Sequence, residues 1–188
     1  MTDTTGASAD AIELLISDHR EVEQLFKMMD AARATGHADE QRYVAEHVVE
    51  DLSVHAVIEE MILYPAMRDA LPDGDQLVED ALEEHQEAKE LLTRIDGKDP
   101  QSEEARNAFD ELVSTIRHHV QEEENDLLPR LREALGQERL QQMGEQLEMA
   151  RKAAPTHPHP HAPNTPPGNV AAGGFATVVD KIRDALQR

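Results

Sequence analysis

The feature that most constrains the fold is a motif that occurs twice and sets a histidine and a glutamate four residues apart. The first copy runs from His55 to Glu59 and the second from His119 to Glu123, and a proline stands ten residues after each histidine. Residues four apart lie on one face of an α-helix, about one turn from each other, so both side chains of a pair can reach one metal ion. We therefore expect two helices that turn these faces toward a common centre.

Apolar residues recur at steps of three or four along most of the chain, which indicates amphipathic helices. We predict helices over about residues 9–34, 40–70 and 75–95, and a fourth that begins near Ser102. Sustained alternation is missing, while Glu, Ala, Leu, Gln and Arg are abundant, so strands are not expected. The prediction is an all-α fold, an antiparallel up-down four-helix bundle with a C-terminal helical extension. In each predicted helix one histidine shares the phase of the apolar stripe: His19, His55, His85 and His119.

The C-terminal third of the chain changes character twice. A further helical stretch, about residues 137–153, is predicted to pack beside the bundle. The six prolines of residues 154–174 favour an extended linker without a packed core. Residues 175–188 have the pattern of a short amphipathic helix, which is marginal alone and should dock on this chain or on a protein partner. We therefore divide the chain into a bundle over residues 9–150, a Pro/His-rich linker and a tail helix.

Composition excludes several classes of function. The chain of 188 residues has no cysteine, so disulfides and thiolate metal sites are excluded. Its formal net charge of −21 would repel nucleic acids and acidic membranes, and neither is an expected partner. No apolar run reaches the length of a membrane span, and the N-terminus lacks the pattern of a signal peptide. We expect a cytoplasmic protein.

An internal duplication relates the two halves of the bundle. The numbering places His55 36 positions after His19, and His119 34 positions after His85, so the chain reads as one helical hairpin repeated. In an antiparallel bundle, similar offsets bring the polar residues of all four helices to a common level in the core. The candidate ligands of a dinuclear metal site are His19, His55, Glu59, His85, His119 and Glu123.

The fourth helix offers a second histidine–glutamate pair one residue earlier, at His118 and Glu122. Helical phase separates the two pairs. His118 and Glu122 lie in line with polar residues, whereas His119 and Glu123 lie in line with the apolar residues of the same helix, such as Leu112. We therefore interpret His118 and Glu122 as solvent-exposed.

A histidine on an apolar stripe is more often a hydrogen-bonded core residue than a metal ligand. Six polar positions on core-facing stripes change this balance, because each unpaired carboxylate or imidazole costs several kcal/mol to bury. Without a metal, the glutamates could be neutralised only by protonated histidines. The metal site is the favoured interpretation.

The ordered pattern His, His-x3-Glu, His, His-x3-Glu resembles that of the hemerythrin-like HHE cation-binding family over about residues 9–150. The resemblance implies a non-haem di-iron centre, in which the two carboxylates and an oxo or hydroxo group bridge two iron ions. It implies no catalytic residue apart from the metal ligands. Iron rests on this resemblance, since histidine and carboxylate also suit manganese and zinc. The ligands that match the family pattern are His19, His55, Glu59, His85, His119 and Glu123.

One departure from the oxygen-carrying hemerythrins bears on function. Those proteins have a second histidine four residues after the third-helix histidine, where this chain has Lys89, and they end the last motif with an aspartate at a longer spacing, where this chain has Glu123. A protonated lysine is a poor ligand, so each iron would have about five donors against a preferred six. Both ions could then accept an outside ligand, which makes an oxygen carrier less favoured than a protein of small-molecule redox chemistry.

The leading hypothesis is binding of dioxygen, peroxide or nitric oxide, in redox stress defence through peroxide decomposition or in sensing. Whether the protein is a catalase- or peroxidase-like enzyme stays open at this point. One alternative is a non-enzymatic regulatory or scaffold protein, in which the metal stabilises the bundle and the tail helix engages a partner. Iron storage is a weaker alternative, because an internal site offers room for only two ions.

Several further polar residues have two interpretations each. Glu21, Glu60, Glu87 and Glu124 are candidate hydrogen-bond partners of the ligating histidines, or ordinary solvated acids. Tyr64 lies about 180° from His55 on a regular helix, so packing is favoured unless the proline that follows distorts the turn.

The remaining histidines are weaker candidates. The segment His157-Pro-His-Pro-His161 has alternating histidines, which can bind divalent ions, but an extended segment lacks a preformed cavity. We expect at most a weak metal site there. His37 and His47 are interpreted as ordinary histidines outside the site.

Overall fold

The computed structural model describes residues 9–161 of the chain, and this part is an all-α bundle without strands, as predicted. None of its helices combines the length and the apolar content that a membrane crossing needs. The elements, in chain order, are α1 (Ala11–Thr35), α2 (Ala38–Ile58), a π-helical turn (Glu59–Leu63), α3 (Tyr64–Ala70), α4 (Gly74–Ile95), α5 (Glu103–Glu122), a second π-helical turn (Glu123–Leu127) and α6 (Leu128–Arg151).

The predicted helices are present, with two local differences. A π-helical turn lies within the helix predicted over residues 40–70, and another follows α5. The extra helical stretch predicted over residues 137–153 is the second part of α6, which Gly136 interrupts with φ 73° and ψ 167°. A left-handed φ of this size favours glycine, so the break falls where the sequence provides one. The antiparallel order of the bundle stays a prediction.

The linker and the tail helix fall largely outside the described residues. Residues 154–161, where the predicted linker begins, have irregular backbone. The remainder of the predicted linker, residues 162–174, and the predicted helix over residues 175–188 lie beyond the part that the structure describes.

The apolar core consists of two clusters that lie on either side of the candidate ligands. One cluster includes Leu15 and Ile58, and the other includes Val22 and Leu52. His19 stands between Leu15 and Val22 in sequence, and the same alternation recurs in the other three helices of the core. The histidines and glutamates therefore form one polar layer between two apolar clusters.

The last helix closes one end of the bundle against the start of α1. Gly144 lies so close to this segment that a Cβ there would stand 2.5 Å from the carbonyl oxygen of Ala9, so only glycine fits. Asp10 is the N-cap of α1 and accepts a hydrogen bond from the backbone N–H of Glu13. Arg132 of α6 donates to the same carboxylate at 2.9 Å. The cap thus also ties α1 to α6.

Candidate metal centre

The structure brings the six sequence-predicted ligands together in two groups that share Glu59. Each of the six residues is at most 5% exposed. Their role as metal ligands stays a prediction, because the geometry shows proximity alone. In each group the candidate ligand atoms lie within 4.8 Å of one another, and the groups are His19, His55, Glu59 and Glu123 in the first and Glu59, His85 and His119 in the second.

The Nε2 atoms of the histidines face the two glutamates. The Oε2 atom of Glu59 lies 3.3 Å from Nε2 of His55 and 3.4 Å from Nε2 of His85, which belong to different hairpins. Glu123 lies in the same way between His19, at 3.3 Å, and His119, at 3.6 Å. Each glutamate therefore stands between a histidine of its own helix and one of the other hairpin, as a carboxylate that bridges two metal ions would.

The chain places each of these glutamates at the first residue of a π-helical turn. The backbone N–H of Tyr64 donates to the carbonyl of Glu59, five residues earlier, and that of Leu128 donates to the carbonyl of Glu123. Pro65 and Pro129 explain both turns, because a proline cannot donate to the carbonyl four residues earlier and its ring collides with it. The wider π-turn avoids this conflict, and such turns are frequent at functional sites. The repeated proline was the sequence signal for them.

A carboxylate holds the outer nitrogen of each of the four candidate ligand histidines. Fixing Nδ1 in this way sets the ring orientation and leaves Nε2 facing Glu59 and Glu123. The distances between Nδ1 and the carboxylate oxygen are 2.9 Å for His19 and Glu124, 3.3 Å for His55 and Asp18, 3.0 Å for His85 and Glu60, and 2.8 Å for His119 and Glu84.

The four acids with two interpretations divide equally between them. Glu60 and Glu124 hold histidines, whereas Glu21 and Glu87 are exposed side chains. The second pair of partners is instead Asp18 and Glu84, the acids that directly precede the single histidines. Sequence reasoning missed them, although the internal duplication repeats an acid at that position in both hairpins.

Burial and neighbouring charges shift the pKa values of three residues of the layer. Burial and the nearby Glu123 raise the pKa of Glu59 well above its ordinary value. Burial also acts to raise the pKa of Glu123, but the charge of His119 and the close approach of His19, at 3.3 Å, outweigh it and lower that pKa. Burial lowers the pKa of His55 to about 4, so this imidazole is neutral at pH 7 and can bind a metal.

Several polar atoms of the layer make no hydrogen bond to the described residues. They are both carboxylate oxygens of Glu59 and of Glu123, together with Nε2 of His19 and of His55. Leaving a buried polar atom unpaired costs about 1–3 kcal/mol, and more for a charged group. Imidazole nitrogens and carboxylate oxygens are donors that suit iron, manganese and zinc. The residues present therefore fit a pair of such ions.

Tyr64 and Lys89 complete the surroundings of the second group. The hydroxyl of Tyr64 lies 2.9 Å from Nε2 of His85, and its ring is buried in the core. The buried ring agrees with the packing that the sequence favours. The π-helical turn before Pro65 also brings the hydroxyl of Tyr64 close to the site, as expected if the proline distorts the helix. Nζ of Lys89 lies 2.7 Å from Oε1 of Glu60, so this lysine is held at the outer carboxylate.

Two other histidine groups lie at the surface. His118 and Glu122 are exposed, as the helical phase predicted, with side chains 64% and 55% exposed. His157 contacts Asp96 at 3.0 Å. Within residues 9–161, no group of side chains that could hold a metal ion includes the histidines of the Pro/His-rich segment.

The comparisons with known proteins agree with this geometry. The family model of the hemerythrin HHE cation-binding domain matches residues 10–131. An uncharacterized hemerythrin-like protein of Schizosaccharomyces pombe is 31% identical over 177 residues, which are 94% of this chain and 86% of that protein. A DNA nickase of Nostoc is 27% identical over 139 residues, which are 74% of this chain but only 38% of the nickase. No solved structure matches. From the family match, the long similarity to the yeast protein and the buried histidine–glutamate layer, it follows that this chain belongs to the hemerythrin HHE cation-binding domain family.

Proposed function

We propose that this protein is a di-iron protein that binds dioxygen, peroxide or nitric oxide, with peroxide decomposition or sensing as its role. The observation that carries the proposal is the pair of ligand groups that share Glu59. Six protein ligands over two ions, with shared carboxylates, leave each ion with fewer than the preferred six donors. A small outside molecule can then bind.

A cavity beside the layer supports this proposal. It has a volume of about 20 Å³, which is enough for one molecule of the size of water or a diatomic ligand. Val22, Leu52 and Ile116 contribute apolar walls, and His85 and Lys89 line the same space. The apolar walls exclude bulk water and leave room for a small ligand, and the small volume argues against iron storage in this space.

Bound iron would supply the redox chemistry, and the chain would supply orientation, charge and protons. The four outer carboxylates keep the histidine rings in one orientation. Burial and the nearby Glu59 raise the pKa of Tyr64 well above its ordinary value, so the phenol keeps its proton. Tyr64 can therefore donate a hydrogen bond from Oη to a small molecule beside His85. Lys89, which lines the cavity, forms a buried ion pair with Glu60.

Metal analysis with an optical spectrum tests the metal, and ligand addition tests the function. We expect nearly two iron ions per chain, charge-transfer bands of an oxo-bridged pair, and either consumption of peroxide or a spectral change with peroxide, dioxygen or nitric oxide. An iron-loaded sample that shows none of these responses would refute the proposal. One zinc ion per chain would refute the di-iron centre itself.

A regulatory or scaffold role is the second candidate, and one contact favours it. Nη2 of Arg151, at the end of α6, lies 2.6 Å from Oδ2 of Asp18, and the same oxygen lies 3.3 Å from Nδ1 of His55. The segment that leads to the C-terminus is thus connected to a candidate ligand. Deleting residues 154–188 separates the two roles: unchanged peroxide turnover supports the redox role, and loss of a bound partner with intact metal supports the scaffold.

We do not propose a DNA nickase activity for this chain. This chain matches only 38% of the nickase, and its formal net charge of −21 disfavours binding to DNA. We expect no nucleic-acid partner.

A further inference from the structure

Three side chains at the surface of α4 and α5 form a group apart from the buried centre. Glu84, His118 and Glu122 each offer one ligand atom, and these atoms lie within 4.8 Å of one another. Nε2 of His118 is 3.4 Å from Oε1 of Glu122 and 3.7 Å from Oε1 of Glu84. Because His118 and Glu122 are exposed, an ion can reach this group directly from solvent.

The internal duplication shows what is particular about Glu84. Its counterpart in the first hairpin is Asp18, since each acid precedes a single histidine and holds the next ligating histidine at Nδ1. Oδ2 of Asp18 also pairs with the guanidinium of Arg151, so a protein cation balances this carboxylate. Glu84 instead holds His119 with Oε2 and turns Oε1 toward His118.

The exposed histidine–glutamate pair occurs in one hairpin alone. Val54 precedes His55 as His118 precedes His119, and Ile58 stands where Glu122 does in the second copy. Both aliphatic residues are buried in the core. The end of α5 and the first residue of the π-helical turn after it thus carry two interleaved pairs, one that faces the buried centre and one that faces solvent beside Glu84.

We propose that Glu84, His118 and Glu122 bind a divalent transition-metal ion at the surface. One imidazole and two carboxylates suit Mn²⁺, Fe²⁺ or Zn²⁺, whereas Mg²⁺ and Ca²⁺ prefer ligands that are all oxygen. The ion balances the two carboxylates, as Arg151 balances Asp18, and water completes its coordination. Since Glu84 holds His119 through its other oxygen, one carboxylate connects this surface site to the buried layer.

A calorimetric titration with Zn²⁺ tests the proposal on the full chain, after saturation of the buried centre with iron. We expect one binding step that H118A and E122Q each weaken by about tenfold or more, because each removes one of three protein ligands. Both residues are exposed, and circular dichroism should confirm an unchanged helix content. The matched control is H37A: His37 is 61% exposed and lies 3.1 Å from the carboxylate of Glu40, but it belongs to no three-residue group among the described side chains. This control should leave the step unchanged.

Two results would overturn the proposal. One is a wild-type chain that shows no Zn²⁺ binding step. The other is a step that H118A leaves intact and that the combined variant H157A/H159A/H161A removes, which would assign the ion to the Pro/His-rich segment. The readout does not depend on redox activity. If the buried centre failed to take up iron, that result would count against the proposed function and not against the surface site. The comparison of H118A with wild type would still hold, because both proteins would have the same iron content.

Discussion

At the scale of single residues, Glu60 joins two different parts of the site. Its Oε1 atom lies 3.0 Å from Nδ1 of His85 and 2.7 Å from Nζ of Lys89, and the side chain is buried. The carboxylate therefore orients a candidate ligand and also balances a buried ammonium group. Lys89, which stands where oxygen carriers have a histidine, has a defined place in this chain as the partner of an outer carboxylate.

We predict that E60Q weakens iron binding by about 10–100-fold, the usual effect of losing a residue that orients a metal ligand. The variant also removes a negative charge from beside the buried Lys89, so the metal-free protein should lose stability as well. Competition with a chromophoric chelator measures the affinity. The control is E87Q, since Glu87 is exposed on the same bundle. Equal iron affinities of E60Q and E87Q would contradict the prediction.

The hydroxyl of Tyr64 gives a second test at this scale. We predict that Y64F keeps the fold, with a loss of about 1 kcal/mol for one hydrogen bond, and lowers the rate of peroxide consumption or the affinity for the small ligand. The reason is the loss of the proton donor 2.9 Å from Nε2 of His85. Tyr43, the other tyrosine, is 52% exposed, so Y43F is the control and should behave as wild type. A Y64F variant with wild-type rate and affinity would remove Tyr64 from the proposed function.

At the scale of elements, the π-helical turns set the register between each glutamate and the helix that follows. The turn that begins at Glu123 lies between α5, which carries the candidate ligand His119, and α6, whose Leu131 and Leu140 are fully buried. A change in the number of residues in this turn would rotate α6 relative to α5 about the helix axis. Through this turn, Pro129 sets the position of Glu123 relative to the apolar core.

We predict that P129A stabilises the metal-free helix and weakens iron binding. Alanine restores the N–H and removes the ring, which is worth up to about 3 kcal/mol in a helix interior. A regular α-helix at this place would shift Glu123 away from its present position against His19 and His119. Thermal melting and chelator competition measure the two effects. The control is P72A, because Pro72 lies in the exposed turn before α4. A P129A variant with unchanged iron affinity would show that the turn does not depend on its proline.

The N-cap of α1 gives a prediction on pH. Burial acts to raise the pKa of Asp10, but the backbone N–H of Glu13 and the side chains of Gln137 and Arg132 outweigh it and hold the pKa below its ordinary value of 3.8. The charged carboxylate therefore stabilises the fold above pH 3.8, and this contribution is lost as the pH falls through the lower folded-state pKa.

We predict that D10N, which keeps a capping side chain and removes the charge, lowers the free energy of unfolding by about 1 kcal/mol at neutral pH. The difference from wild type should shrink as the pH falls below 3.8. Urea unfolding of the metal-free protein over a pH series measures it, with D69N as the control at an exposed site of α3. A cost of D10N that is the same at acidic and neutral pH would contradict the charge argument.

At the scale of the whole molecule, the polar layer divides the apolar core into two clusters. Chains of this size gain most of their stability from one continuous core, so a layer of unpaired carboxylates and imidazoles weakens the fold unless something compensates for it. The proposed pair of cations would do so, because it would bind the folded state and not the unfolded chain.

We predict that complete removal of the metal lowers the melting temperature and that re-addition of iron restores it. A ligand present at about 100 times its dissociation constant stabilises a fold by about 2.7 kcal/mol, and the expected shift is of this order or larger. Differential scanning calorimetry before and after chelation measures it. A variant with E59Q and E123Q should melt at the same temperature with and without metal. Unchanged melting of the wild-type chain after chelation would show that the layer is stable without a cation.

The sequence by itself determined the helices and the residues that face the core. A helix repeats every 3.6 residues, so the phase of His119 and Glu123 against that of His118 and Glu122 could be counted along the chain, and the structure buries the first pair and exposes the second. The duplication identified which residues of the four helices should meet, and the structure brings them together.

Only the tertiary structure decided which acid holds which histidine and how Tyr64 and Lys89 approach the layer. Glu21 and Asp18 both lie close to His19 in sequence, but only Asp18 reaches a candidate ligand, which is His55 of the next helix. Such a contact depends on the rotation and axial offset of two helices, and these are set by packing and by the π-helical turns. Periodicity along one helix is local and can be counted from the sequence, whereas contacts between helices exist only once the chain has folded.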